Sequence, residues 1–291
     1  MDAYKENPIL SEPTFPVEVF LCDNLKKPIK GAPHWHDCIE IIYMLEGTAV
    51  QQINDRCFRV RKNDIVIANS GVIHDIKCTA GEEVRYLVIK FSPGVIYSSY
   101  ANIFESKYIM MFLNSSHQQS YHIADTFKHS EDIVQLMMGI YHEFLKKEAG
   151  YEIYIKGYIY QLVACLVRNE MLGSCGPADL EKKLKKIDPL LKYIERDYAE
   201  EISLEKAANM VNMNYHYFSK YFKKAIGKNF KEYVDFVRVC EAEKLLLSED
   251  MSITQIAYDV GFSNVSSFNR VFKRVKHYPP SAIKKSKTAK N

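Results

Sequence analysis

The chain is predicted to be an α+β protein in two parts. A small N-terminal β-barrel is followed by two helices, and the C-terminal part is an all-α domain of two helix-turn-helix units. Three observations lead there. Short runs rich in Val, Ile, Tyr and Phe, separated by turn residues, fill roughly the first third of the sequence. The hydrophobic period then changes from that of strands to that of helices. Residues 203–273 finally contain an internal repeat at an offset of 49 to 50 positions.

Charge divides the chain in the same way. Of 291 residues, 47% are hydrophobic and 26% charged, which is ordinary globular usage and enough for two domains. The net charge of +3 conceals an asymmetry. Residues 1–180 carry 17 basic and 22 acidic side chains, a net −5, whereas the last 111 carry 22 and 14, a net +8. A basic terminal third on an acidic remainder suggests a nucleic-acid module joined to something with another task. Met1–Phe15 has no apolar core of signal-peptide length, and no run approaches the ~18 apolar residues of a membrane span. The seven cysteines are scattered and form no CxxC pair, which fits reduced thiols in a cytoplasm and excludes a Cys-rich zinc module. A cytoplasmic protein without a membrane partner is expected.

The predicted strands are 39–45, 48–53, 58–60, 65–68 and 84–91, with turns at Glu46-Gly47, Asn54-Asp55 and Asn63-Asp64. Such even spacing favours a barrel or sandwich. Ile133, Leu136, Met137, Ile140, Tyr141, Phe144 and Leu145 then form one helical stripe, and Tyr158, Ile159, Leu162, Val163, Leu166 and Val167 a second. These helices either cover the barrel or also pair between subunits. Gly173 to Pro177 breaks the pattern, and the Lys/Glu-rich stretch 181–186 reads as a solvated linker. The expected divisions are a barrel over 1–130, helices over 131–173, a linker over 174–186 and a terminal domain over 187–291.

Within the terminal domain, Ser203-Leu204 matches Ser252-Ile253, Ala208 matches Ala257 and Val211 matches Val260. After a one-residue insertion, Phe218 matches Phe268 and Phe222 matches Phe272. Each copy has a Ser to cap its first helix, a small Ala where the second helix crosses, and a break at Asn212-Met213-Asn214 or Gly261 to Asn264. A Phe/Phe pair at i, i+4 then faces inward with basic residues outward. Two such copies in a domain of +8 argue against a plain helical bundle.

The stretch 253–264 (ITQIAYDVGFSN), followed by 267–274 (SFNRVFKR) and Pro280, resembles the signature of AraC/XylS-type transcription regulators over about 100 C-terminal residues. The resemblance implies two recognition helices on one face of the DNA, joined by a helix over 230–247 in which Arg238, Ala242, Leu245 and Leu246 match the family pattern. It implies base contacts from His216, Ser219 and Lys220 in the first unit and Ser266, Asn269 and Arg270 in the second. Those residue types suit base edges: Arg and Lys donate to guanine, Asn pairs with adenine, and Ser serves either. Phosphate contacts would come from Lys223, Lys224, Lys228, Lys273 and Arg274, each of which could equally be a solvated surface residue. One departure from the pattern is His277, which stands where the first unit has Gly227 and leaves the end of the last recognition helix open.

In the acidic part, His34, His36 and Glu40 share one parity, so on an extended strand all three face the same way. With Gly47 they form H-x-H-x3-E-x6-G, and His74 follows another strand. This resembles the cupin barrel pattern, in which three His and one Glu can hold a divalent metal, and it makes the first domain cupin-like. Three readings stay open. The four residues bind Fe, Mn, Zn or Ni; they hydrogen-bond a small molecule such as a sugar or polyol, with Trp35, Tyr43 and Tyr86 as stacking walls; or they are a core polar cluster with no ligand. No Gly-x-Ser-x-Gly elbow, phosphate-binding glycine pattern or paired-carboxylate motif is present, so an enzyme is not expected. The whole implies a dimeric regulator that binds promoter DNA and responds to a small-molecule effector, contacting RNA polymerase if it activates. The alternatives are a metal-dependent cupin sensor or enzyme on a DNA anchor, and a regulator whose barrel only dimerises.

Overall fold

The computed structural model describes residues 3–6, 15–24, 31–78, 83–96, 108–109, 111–113, 121–124, 130–169, 177–248, 251–276 and 278–288. The chain forms two units, one of residues 1–96 with 111–174, the other of 97–110 with 175–291.

The first unit contains β1 (Tyr4–Lys5), β2 (Val17–Asp23), β3 (His34–Trp35), β4 (Ile39–Glu46), β5 (Thr48–Ile53), β6 (Arg56–Arg61), β7 (Ile65–Ala68), β8 (His74–Cys78), β9 (Arg85–Phe91) and β10 (Tyr121–Ile123). They form two five-stranded sheets, ordered β1-β3-β8-β5-β6 and β10-β7-β4-β9-β2. Their shared interior takes Ile42, Met44, Val66, Tyr86 and Val88 from the second sheet, and Ala49, Ile53 and Val60 from the first. On β4 and β9 the alternate residues Ile39, Ile41, Leu87 and Ile89 are buried as well. Both strands are therefore apolar runs rather than alternating ones, as befits strands covered on both faces. Hairpin turns fall at Asn54 and Asn63, which adopt φ of 49° and 70°, a region Asn tolerates better than most residues. At Gly47, φ is 78° and a Cβ would lie 2.1 Å from the Glu83 carbonyl oxygen, so only glycine fits. Helices α1 (Ser130–Lys146) and α2 (Tyr151–Arg168) pack on each other, and α1 also packs on β2.

The second unit holds α3 (Pro177–Asp197), α4 (Leu204–Met210), α5 (Tyr215–Ile226), α6 (Phe230–Ser248), α7 (Ile253–Asp259), α8 (Val265–Lys276) and α9 (Pro280–Thr288). Residues 181–186, read from sequence as a solvated linker, lie inside α3. Leu180, Leu184, Ile187, Leu190 and Ile194 make a buried stripe along it, while Lys185–Glu181 and Lys192–Asp188 ion pairs at i, i+4 line the outside. The charges that suggested a linker are the outer face of an amphipathic helix.

The repeat is reproduced bond for bond. Ser203 Oγ accepts from Lys206 N and Ser252 Oγ from Gln255 N, both at 3.1 Å. Asn214 Oδ1 accepts from Tyr217 N and Asn264 Oδ1 from Ser267 N, both at 2.8 Å. Met213 N donates to Ala208 O, and Phe262 N to Ala257 O, at 3.0 Å. The residues that turn the chain, Asn212 and Gly261, both have positive φ. The Phe218/Phe222 and Phe268/Phe272 pairs are fully buried with ring centroids 5.5 Å apart in each copy. Between the copies, α6 carries Arg238, which donates to the carbonyls of Tyr198 and Glu200 at 2.7 and 2.8 Å. Those carbonyls follow α3, so the loop after α3 is fastened to the joining helix. Gly227 closes α5 with a left-handed cap; His277, at the equivalent place after α8, lies outside the described residues.

At Gly261, φ is 89° and a Cβ would meet the Ala199 carbonyl oxygen at 2.5 Å. Gly261→Ala should therefore lower the stability of the helical domain by more than ~1 kcal/mol, read from the urea midpoint of the helical circular-dichroism signal. An unchanged midpoint would show that the Ala199 loop yields without cost.

Candidate effector site and nucleic-acid interface

The two sheets place their polar residues at one end of the interior. His34 on β3 pairs directly with His74 on β8, and Glu40 on β4 pairs with Lys90 on β9, which in turn faces Glu18 on β2. His34, His36, Glu40 and His74 each offer a donor atom, and these atoms all lie within 4.8 Å of one another. The route differs from the single extended strand read in the sequence. The chain bends at Asp37-Cys38 and crosses from one sheet to the other, so His34 and Glu40 meet across the interior.

Hydrogen bonds settle which way each imidazole presents its lone pair. The three Nδ1 atoms lie 2.9, 3.0 and 2.8 Å from the carbonyl oxygens of Ala32, Cys38 and Val72 for His34, His36 and His74 respectively. A carbonyl only accepts, so Nδ1 carries the proton and a neutral ring turns an accepting Nε2 inward. Nε2 of His36 and of His74 face Glu40 Oε2 at 3.1 and 3.6 Å, and His74 Nε2 is buried with no hydrogen-bond partner. Acceptors facing a buried carboxylate require positive charge among them. Burial alone would raise the Glu40 pKa, but His74, His36 and Lys90 outweigh it and hold the carboxyl well below its usual range. Burial likewise opposes charge on His74, and Glu40 overcomes it, so the His74 pKa is raised.

Two residues that sequence reading missed complete the cluster. Lys90 Nζ lies 3.1 Å from Glu40 Oε2 and 2.8 Å from Glu6 Oε2. Glu6 Oε2 is also 3.7 Å from His34 Nε2 and 4.0 Å from His36 Nε2. It is carried there by β1, which pairs in parallel with β3, and by a bond from Glu6 N to Trp35 O. Lys90 shares strand parity with the inward Tyr86 and Val88, which was a usable signal; nothing in the sequence near Glu6 was.

The proposed stacking walls are not assembled. Trp35 alternates with His34 and His36 and lies beneath the Lys5 ammonium, 4.8 Å from its ring centroid. Tyr43 projects from the face of β4 opposite Glu40 and donates to Asn63 Oδ1. Tyr86 does face the interior, but in its packed apolar part, four residues along β9 from Lys90. The pleat turns Trp35 and Tyr43 away from the cluster, whereas Tyr86 shares its face and is set apart only by distance along β9.

In the second unit, His216, Lys220, Ser266, Asn269 and Arg270 are exposed on α5 and α8, with Ser219 half-buried. Lys223, Lys224, Lys273 and Arg274 are exposed too. Arg274 lies 3.8 Å from the carboxylate of Asp235 on α6. Lys228 is half-buried, its ammonium 6.0 Å from the Phe236 ring centroid, and burial lowers its pKa. Asn269, Arg270 and Lys273 form one wall of an open groove of about 370 Å³, completed by Ile253, Pro279, Pro280 and Ser281. No helix among the described residues is long and apolar enough to cross a membrane.

Residues 30–163 match the family described as the AraC-like ligand binding domain, and residues 207–286 match a helix-turn-helix domain. An uncharacterized HTH-type transcriptional regulator of Bacillus subtilis, YdeC, is 27% identical over 259 residues, covering 87% of this chain and 85% of that protein. The lactose operon transcription activator of Staphylococcus xylosus is 28% identical over 52% of this chain and 53% of its own length. The transcriptional activator RhaS of an Enterobacter species is 27% identical over 44% and 45%; the chain thus spans about half of these last two relatives. Among solved structures, apo ToxT K231A from Vibrio cholerae aligns over 92% of this chain and 96% of its own, at 14% identity and a TM-score of 0.40. With both halves matched in order along the sequence, the chain belongs to the AraC-type transcriptional regulators, with an N-terminal ligand-binding domain and a C-terminal helix-turn-helix DNA-binding domain.

Proposed function

We propose that this regulator reads promoter DNA through α5 and α8 and responds to a ligand held by His34, His36, Glu40 and His74. On the DNA side, the supporting observation is the repeated unit that leaves His216, Lys220, Ser266, Asn269 and Arg270 exposed on its second helices, with Ser219 half-buried beside them. These residues serve as base readers, and Lys223, Lys224, Lys273 and Arg274 as phosphate contacts. Lys228, packed against Phe236, contributes less to phosphate binding than its sequence position suggests. On α1 and α2, Leu145, Ile153 and Tyr154 are 60–76% exposed, which supports pairing of two copies through this helical segment. The setting is a cytoplasmic homodimer acting on transcription, and contact with RNA polymerase follows where it activates.

On the ligand side, the inward Nε2 lone pairs carry the reading. Three imidazoles oriented by carbonyl oxygens, with a buried carboxylate opposite, match the donor set of a divalent N/O-ligand metal such as Zn, Mn, Fe or Ni. The unpartnered Nε2 of His74 fits that role. Bound there, the ion would supply the positive charge the cluster demands. A second reading is a sugar or polyol, whose hydroxyls can donate to Nε2 and accept from Lys90. Either ligand acts by binding one arrangement of the regulator more tightly than another.

Two measurements test these assignments. Arg270→Ala should cost ~1–3 kcal/mol at the specific promoter site and relax its base preference, whereas Lys223→Ala should weaken all sequences alike and flatten the salt dependence. Equal losses from both on random DNA would remove Arg270 from base reading. Equilibrium dialysis of chelator-treated protein against Zn, Mn or Ni chloride should give one ion per chain, with about a tenfold or larger loss of affinity in His74→Ala. If wild type takes up no metal and a sugar or polyol instead raises its melting temperature, the second reading stands.

A further inference from the structure

Lys90 is placed where an ordinary three-His, one-Glu metal site has no use for a cation. Its side chain is only 9% exposed, and its ammonium is held between two carboxylates, 2.8 Å from Glu6 and 3.1 Å from Glu40. The β4–β9 register, which sets Lys90 directly opposite Glu40, fixes it there. The same Glu40 oxygen is the one closest to the Nε2 atoms of His36 and His74. A divalent ion bonded to that oxygen would have a like-charged ammonium beside it in a poorly solvated site. Glu6 has the complementary position. Its carboxylate also faces Nε2 of His34 and His36, and it contacts the same ammonium.

Resting on the metal reading above, we infer that Lys90 is an internal counter-cation that a divalent metal must displace from Glu40 and Glu6, and that Glu6 is a fifth donor to the incoming ion. Metal loading is then an exchange of one cation for another. Lys90 sets the free-metal concentration at which the domain fills, and Glu6 ties the first strand of the chain to the filled state.

The test uses full-length, chelator-treated protein and equilibrium dialysis against Zn, Mn and Ni chloride, with bound metal counted by mass spectrometry and Trp35 fluorescence confirming the fold. Lys90→Met should bind metal at least about tenfold more tightly than wild type. Lys90→Arg, which keeps the charge, should bind no more tightly than wild type. Glu6→Gln should bind at least about tenfold more weakly. If wild type binds metal and Lys90→Met binds equally or more weakly, the lysine is a supporting partner and the exchange is wrong. An unchanged affinity in Glu6→Gln removes the fifth donor. If neither wild type nor Lys90→Met takes up metal, the metal reading itself fails and takes this inference with it. Should Lys90→Met not fold, Lys90→Gln takes its place with the same expected gain, and equal or weaker binding by that variant overturns the exchange.

Discussion

Glu40 is the residue around which the first domain has to be organised. The carboxylate of a residue only 5% exposed stays ionised only when cations and donors surround it. The fold meets that demand from both sheets at once. The second supplies Lys90 from the neighbouring strand, the first supplies His34 and His74, and the crossing between the sheets supplies His36, all three imidazoles having their outer nitrogens committed to backbone carbonyls. Because those nitrogens are fixed, the inner ones stay turned toward Glu40 and can donate to it only when a ring is protonated to imidazolium. The cluster is left with more acceptors than protons, and its state is governed by whichever positive charge occupies it.

The second domain solves a different problem, that of holding two recognition helices at a defined spacing. Each helix is clamped from below by its own Phe pair and from its start by an Asn cap. The joining helix α6 is fastened through Arg238 to the loop that follows α3, and the Ala199 carbonyl of that loop presses on Gly261 in the turn of the second unit. One loop therefore touches both the helix that separates the units and the turn that aims the second of them. The stretch that reads as a linker is the beginning of the helix that leads into this loop, so it is part of the DNA-binding domain's own architecture.

Where the sequence was legible, the reason was periodicity or repetition. The strands from Ile39 to Phe91 and the turns at Asn54 and Asn63 follow local chemistry, and the second helix-turn-helix unit confirms the first because the same bonds recur 49 or 50 residues on. The misreadings share a cause as well. Residues 181–186 are dense in charge, and their helical stripe is visible only when Leu180, Leu184 and Ile187 are taken together with Leu190 and Ile194. Trp35 and Tyr43 suit stacking walls by residue type, but the alternation of their strands turns them away from His34 and Glu40. Glu6 lies 28 residues before His34, and only the parallel pairing of β1 with β3 brings it in; no pattern within a strand encodes a partner so remote.

A ligand can shift a regulator only by the difference in its affinity for two arrangements, and a shift from 1:99 to 99:1 needs about a 10⁴-fold preference. Apolar contacts inside a packed interior are poorly suited to give so steep a difference, because a small displacement loses little of them. A charge cluster is better suited. In the proposed site the donors come from β3, β4, β8, the β3–β4 crossing and Glu6 beside β1, and an ion that needs all of them together loses most of its binding when one is withdrawn. Of these, β1 has the least to hold it: two residues paired on one side, both exposed, anchored by the Lys5–Asp37 and Glu6–Lys90 ion pairs and by Tyr4 stacked on His34. Exposed pairs of the first kind contribute little. β1 is thus held in large part by Glu6 and Tyr4, which touch Lys90 and His34, so with the proposed ligand the order of this strand would depend on the charge in the cluster.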